Sequence, residues 1–178
     1  MELAREVDGH HRRRSAEKGW HDSTLLGKLL EDIDFDAAYT SDLRRTQRTL
    51  EALLEGKGKQ KDLPRHAHQA VTERDYGIYT GLNKWEVKER VGDEEFNNLR
   101  RGWAYPVPEG ENLRQVYDRV VPFFDTEMLP RLERGEDEQE MATVEMHFGE
   151  LVIYHFPRET KKPTKKETRK ADIVPPHA

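Results

Sequence analysis

The sequence predicts an α/β fold, and three observations carry that expectation. Amphipathic helical stretches recur between residues 23 and 133. Two β-prone runs accompany them, FDAAYTS (35–41) within that span and ELVIYHF (150–156) beyond it. The order is strand, helix, long helix, strand, which is the alternation of an α/β domain. The chain has 178 residues, one domain's worth, with a basic, mobile tail expected over 157–178. It is polar for a compact domain, at 34% hydrophobic and 37% charged residues.

The elements follow in order. Residues 1–22 are polar and carry the basic knot Arg12–Arg14. STLLGKLLED (23–32) puts Leu25, Leu26, Leu29 and Leu30 on one helical stripe. FDAAYTS reads as a short strand. Ser41 is placed to cap the next helix, DLRRTQRTLEALLE, whose Leu43, Leu50 and Leu54 share a face. GKGKQKDLP (56–64) reads as a loop, and Gly77, Gly81 and Asn83 mark turns in TERDYGIYTGLN (72–83). KWEVKERVGDEEFNNLRRGW reads as two short helices broken at Gly92, with Trp85, Phe96, Leu99 and Trp103 facing inward. AYPVPEGE (104–111) is a loop. Residues 112–133 form the most regular helix, with Leu113, Val116, Tyr117, Val120, Phe124, Met128 and Leu132 at helical spacing and a kink expected at Pro122. Only 150–156 is a strong strand, so the helices outnumber the strands that would support them.

Composition excludes several functions. Zero Cys removes disulfides, thiolate catalysis and cysteine metal sites, and is compatible with a reducing, cytoplasmic setting. The net charge of -5 offers nothing that attracts nucleic acid. There is no long apolar run for a membrane span, and the N-terminus lacks the apolar centre of a secretory signal.

Cations and one carboxylate are the candidates for chemistry. Arg45 lies one turn into the helix after a strand end, where a guanidinium can grip a phosphate; solvated helix charge is the plainer reading of Arg44, Arg45 and Arg48. Glu73 precedes Arg74, Asp75, Tyr76 and Gly77 in a turn, a position for an acid/base carboxylate or simply a surface turn. Lys84, Arg100 and Arg101 add anion-binding capacity. The eight histidines show no zinc spacing and read as surface or structural.

Together these motifs resemble the cofactor-dependent phosphoglycerate mutases of the histidine phosphatase superfamily. AEKG (16–19) with LGKLL (26–30), FDAAYTSDLRRTQRTL (35–50), ERDYGIYTGLNKWE (73–86), RRGWAYPVPEGENL (100–113) and DRVVPFFDTEMLPRLERGE (118–136) follow the family's order. The resemblance implies a three-layer histidine-phosphatase-like sandwich. It also implies interconversion of 3-phosphoglycerate and 2-phosphoglycerate in glycolysis, primed by 2,3-bisphosphoglycerate and without a metal. Arg45 is similar to the arginine that binds the transferring phosphoryl group, and Glu73 to the acid/base carboxylate. Arg74, Asp75 and Tyr76 fall in the family's substrate-binding turn. Lys84, Arg100 and Arg101 resemble the residues that hold the substrate's carboxylate and phosphate.

Two departures stand beside these matches. The family's R-H-G motif would fall before Met1, and its A-H-G-N-S-L-R segment would follow Gly135-Glu136, where DEQEMATVEMHFGELVIY stands instead. The expectation is an incomplete sheet and a chain inactive as written. The alternatives are a non-catalytic protein that binds phosphorylated anions, or a broad-specificity phosphatase of the same superfamily.

Overall fold

The computed structural model describes residues 16–60, 62–132, 139–144, 150–156 and 165–173. They form α/β structure in two compact units, residues 1–68 with 132–178 and residues 69–131.

In the first unit, helix α1 (16–28) is followed by strand β1 (Ala38–Thr40), helix α2 (Arg44–Lys57) and strand β2 (Arg65–Ala67). The helices pack backbone to backbone. A Cβ on Gly27 would stand 2.0 Å from the Leu53 carbonyl oxygen, and one on Gly56 would stand 1.9 Å from that of Thr24. Only glycine permits this approach. Strands β1 and β2 pair in parallel, Tyr39 opposite His66. The reading of 35–41 as one strand shortens to three residues, and β2 has no signature of its own. RHA is too short and polar to show a period of two.

Helix α2 starts at Arg44 rather than at a Ser41 cap. Ser41 is buried, accepts the Leu43 N–H at 3.4 Å and shares a 2.7 Å hydrogen bond with the Thr46 hydroxyl. Its hydroxyl is therefore used in the turn that leads into the helix. The other end closes with Gly58 in the left-handed region, φ 76°. Beyond it, the Gln60 amide clamps both the N–H and the carbonyl of Phe35, at 2.9 and 2.8 Å. The buried Lys57 amine lies 3.7 Å from Asp34.

Three further strands make an antiparallel sheet in the order β3 (Gln139–Val144), β4 (Glu150–Phe156), β5 (Lys165–Lys170). Strand β4 coincides with the strand expected from its apolar run. Ile153 joins Leu26, Leu30 and Ile33 in a buried cluster, with Leu29, Phe35, Leu53, Ala171 and Ile173 packed around it. Strand β5 lies inside the stretch read as a mobile basic tail, and that reading is corrected for 165–173. Arg169 anchors it there. The guanidinium donates to the Leu29 carbonyl at 2.6 Å and forms ion pairs with Asp32 and Glu167. These bonds hold the Asp32 carboxyl below its usual range and push Arg169 above its own. The rest of that tail and the polar segment 133–138 lie outside the described residues.

The second unit contains α3 (Lys84–Val91), α4 (Asp93–Arg101) and α5 (Leu113–Phe123). Helices α3 and α4 break at Gly92, φ 84°, as the sequence predicts. The α4 ends carry charges that suit the helix dipole, Asp93, Glu94 and Glu95 first and Arg100 and Arg101 last. Phe96 and Leu99 are buried as expected. Trp85 and Trp103 are not; they are 59% and 54% exposed. Helix α3 buries Val87 instead, and Trp103 lies past the end of α4, edge-on to the exposed Tyr117 at 5.5 Å. After Pro122, α5 passes into a π-helical turn (Phe124–Met128) and then α6 (Leu129–Leu132). The proline removes one main-chain donor inside α5, yet the helical path runs on through it. Phe123 and Leu129 supply the buried contacts.

Candidate functional site

Arg45 lies exposed in the first turn of α2, in the first unit. The other candidate residues lie in the second unit, on the 73–76 turn and on α3 and α4.

The 73–76 turn is shaped by its own acids. The Asp75 carboxylate accepts the Gly77 N–H at 2.8 Å and the Thr80 hydroxyl at 2.9 Å. Both bonds favour the charged form, so the Asp75 carboxyl sits below its usual range. Gly77 has φ 55°, and a Cβ there would meet the Pro108 carbonyl oxygen at 1.9 Å. The 107–111 loop thus lies directly against the turn. The Ile78 N–H donates to that same Pro108 oxygen at 3.2 Å, and the Glu111 N–H donates to the Asp75 carbonyl at 2.8 Å.

Arg74 is the most constrained of the cations. Its guanidinium covers the Tyr76 ring at 4.4 Å and donates through Nη2 to the Arg100 carbonyl at 3.2 Å. Its Nη1 is buried with no hydrogen-bond partner among the described residues. A buried guanidinium nitrogen with nothing to donate to is costly. Arg100 and Arg101 end α4 with exposed side chains, and the Arg100 guanidinium leans over Phe96 at 5.5 Å. Lys84 is exposed with its amine over the Trp85 ring at 5.0 Å, at the start of α3, where Asn83 caps the helix through the Trp85 N–H. Glu73 is exposed beside Arg74. The bond from Arg74 to Arg100 therefore brings the turn and the end of α4 together.

Two residues absent from the sequence candidates tie this arrangement to α5. Arg119 forks onto Glu111 at 2.8 and 2.9 Å, and also donates to the carbonyls of Ala70 at 2.6 Å and Thr72 at 2.8 Å. Glu111 in turn accepts the Asp75 N–H at 3.3 Å. The fork holds the Glu111 carboxyl low, chiefly through Arg119, and raises Arg119. The sequence signal for this was Asn112–Gln115, a capping box that starts α5 immediately after Glu111, with bonds of 3.0 and 2.9 Å. Among the described residues there is no group of acids and histidines that could hold a metal ion.

The family model "Histidine phosphatase superfamily (branch 1)" matches residues 9–155. The chain is 47% identical over 122 residues to a 2,3-bisphosphoglycerate-dependent phosphoglycerate mutase of Rhizobium johnstonii, covering 67% of this chain and 57% of that protein. It is 36% identical over 146 residues to the mutase of Parvibaculum lavamentivorans, covering 75% and 69%. With a third, from Allorhizobium ampelinum, it shares 42% identity over 130 residues, covering 66% and 61%. The chain thus spans about three fifths of the length of these curated relatives. Among solved structures, Bacillus stearothermophilus YhfR superposes with a TM-score of 0.54 at 25% identity, covering 67% of this chain and 55% of that one. The phosphoglycerate mutase of Bacillus anthracis gives 0.52 at 26%, covering 67% and 58%.

Proposed function

Because this chain belongs to the histidine phosphatase superfamily, we propose that it binds phosphoglycerate at a site of the 2,3-bisphosphoglycerate-dependent phosphoglycerate mutase kind. Identity of 36–47% to such mutases supports the substrate class. The observation that carries the anion reading is the buried Nη1 of Arg74, unpartnered among the described residues and held between Tyr76 and the end of α4.

In this reading Glu73 flanks the bound anion at the position of the family's acid/base carboxylate, while Arg45, in the first unit, takes a phosphoryl-binding role from the resemblance alone. Arg74, Tyr76, Lys84, Arg100 and Arg101 hold the substrate's carboxylate and phosphate, and Asp75 shapes the turn that presents them. A small polyanion needs cations around it, because positioning and charge neutralisation account for most of what phosphoryl-transfer sites supply. These cations also suit 2,3-bisphosphoglycerate, on which the related mutases depend by name. The phosphoryl acceptor is another matter. No histidine in the 178 residues precedes a glycine, so neither family histidine motif occurs here. The proposal for the 178 residues is therefore phosphoglycerate binding. This reading involves a small phosphorylated ligand in a cytoplasmic setting, with no metal, nucleic acid or membrane.

Calorimetric titration with 3-phosphoglycerate tests the proposal, with unphosphorylated glycerate as the control. A hydrogen bond to a charged group contributes about 1.5–3 kcal/mol. Arg74→Ala is thus expected to weaken binding by at least about tenfold. Equal affinity in the parent and in Arg74→Ala, or equal affinity for glycerate, would sink the reading.

A further inference from the structure

One guanidinium and one carboxylate hold both flanks of the 73–76 turn, and neither belongs to the anion-binding set. Arg119 donates to the Ala70 and Thr72 carbonyls, which precede Glu73, at 2.6 and 2.8 Å. Glu111 brackets Asp75, accepting its N–H at 3.3 Å and donating its own N–H to the Asp75 carbonyl at 2.8 Å. The two side chains then close on each other at 2.8 and 2.9 Å. Glu73 and Arg74 are the residues left between the two attachment points. The base of this clamp is rigid, because the Asn112–Gln115 capping box starts α5 directly after Glu111.

We propose that Arg119 and Glu111 are positioning residues that set the geometry of the 73–76 turn, and through it the placement of Glu73 and Arg74 against a bound phosphoglycerate. What the turn binds rests on the reading above; what holds the turn rests on the hydrogen bonds alone. Arginine is needed for its shape. A planar fork with five donors reaches two carbonyls and a bidentate carboxylate at once, whereas a lysine ammonium is a point charge and cannot span them. Small displacements of positioning groups are expensive, up to about a hundredfold in rate for about 1 Å.

The test compares the 178-residue chain with Arg119→Lys, and with Glu111→Gln as a variant that keeps side-chain shape. Leu26→Ala, a core truncation in the other unit, serves as the stability control. Two quantities are read below each protein's unfolding transition: amide hydrogen exchange at Asp75 and Glu111, and the Kd for 3-phosphoglycerate by calorimetry. Arg119→Lys is expected to speed exchange at both amides and to raise Kd, each by about tenfold, the equivalent of one lost hydrogen bond to a charged group, and Glu111→Gln to do the same more weakly. Leu26→Ala is expected to lower the unfolding temperature and leave both quantities unchanged. Unchanged exchange in Arg119→Lys and Glu111→Gln would overturn the clamp. Faster exchange with an unchanged Kd, or an equal rise in Kd in Leu26→Ala, would overturn its positioning role. A parent protein that does not bind 3-phosphoglycerate would defeat the phosphoglycerate reading instead, and the exchange rates would still decide whether the clamp exists.

Discussion

Gly27 of α1 lies against the carbonyl of Leu53 in α2, so close that a Cβ would stand 2.0 Å from the oxygen. Helix backbones in contact cannot yield as a side chain does. Gly27→Ala should therefore push the two helices apart, at a cost of about 1–3 kcal/mol or more. Gly19, on an exposed part of the same helix, has nothing within 4 Å of its would-be Cβ. Gly19→Ala should stabilise by roughly 0.5–1 kcal/mol, because it removes the backbone-entropy cost of glycine. Thermal unfolding followed by circular dichroism checks both. A shift in the same direction for the two variants would show that the close approach is not what Gly27 serves.

Arg169 gives the second prediction. It connects β5 to the end of α1 through the Leu29 carbonyl and Asp32, and pairs with Glu167 on its own strand. Arg169→Ala removes these bonds together and leaves Asp32 unpaired from it. The expected outcome is rapid proteolysis within 165–173 while α1 and α2 stay protected. Limited digestion with mass mapping reads this directly. Unchanged cleavage would mean that pairing with β4 alone holds the strand.

Much of this fold was legible in the sequence, and the exceptions have physical causes. Strand β4 showed itself because ELVIYHF is apolar and β-prone. Gly92 marked a helix break because only glycine tolerates its φ of 84° at no cost. Strands β2 and β5 were hidden because RHA and KKETRK carry no hydrophobic alternation. They are edge strands held by main-chain pairing, and in β5 by one arginine. At the candidate site, Arg74 and Asp75 stood out as charges in a turn. Their different uses did not, because a linear sequence does not show that Asp75 spends its carboxylate on Gly77 and Thr80. Arg119 was hidden by distance, lying 49 residues from Ala70.

The tryptophans give a third prediction. Amphipathic reasoning placed Trp85 and Trp103 inside, but α3 and α4 bury Val87, Phe96 and Leu99, and both indoles are more than half exposed. Trp20 lies beside Arg48, 5.6 Å from its guanidinium carbon. Native emission should accordingly be red-shifted and open to iodide quenching, with a modest change on unfolding. Trp85→Phe with Trp103→Phe should remove most of the quenchable signal. Blue-shifted, quencher-resistant emission would place these indoles in a core.

Acid sensitivity follows from Asp75 and Glu111. Both carboxyls are held below their usual range, Asp75 by the Gly77 N–H and then the Thr80 hydroxyl, Glu111 chiefly by Arg119. A depressed folded-state pKa means that the unfolded chain binds more protons in that window, so stability rises with pH there. The contribution is fully present above the unfolded carboxyl values, about 4, and is lost as the pH falls through the lower folded ones. Urea unfolding between pH 6 and pH 2.5 should show this decline. Asp75→Asn keeps an oxygen acceptor for both bonds but cannot titrate, so its decline should be shallower. A slope identical to the parent's would show that Asp75 does not contribute.

The last prediction concerns phosphoryl transfer. A histidine that accepts a phosphoryl group must present a neutral ring nitrogen to the phosphorus, in line with the leaving oxygen and beside cations that neutralise the developing charge. His66 is half-buried and stacks on the Tyr39 ring at 5.1 Å, while His21 and His68 are exposed. None of the eight histidines stands in an R-H-G or A-H-G-N-S-L-R context. Incubation of the 178-residue chain with 2,3-bisphosphoglycerate should leave the protein without acid-labile, base-stable phosphate, even where calorimetry detects binding. Intact-mass measurement at neutral pH gives the stoichiometry, and peptide mapping locates any label. Near-stoichiometric phosphate on one histidine would show that this chain supplies an acceptor outside the family's motifs, and would turn the binding reading into a catalytic one.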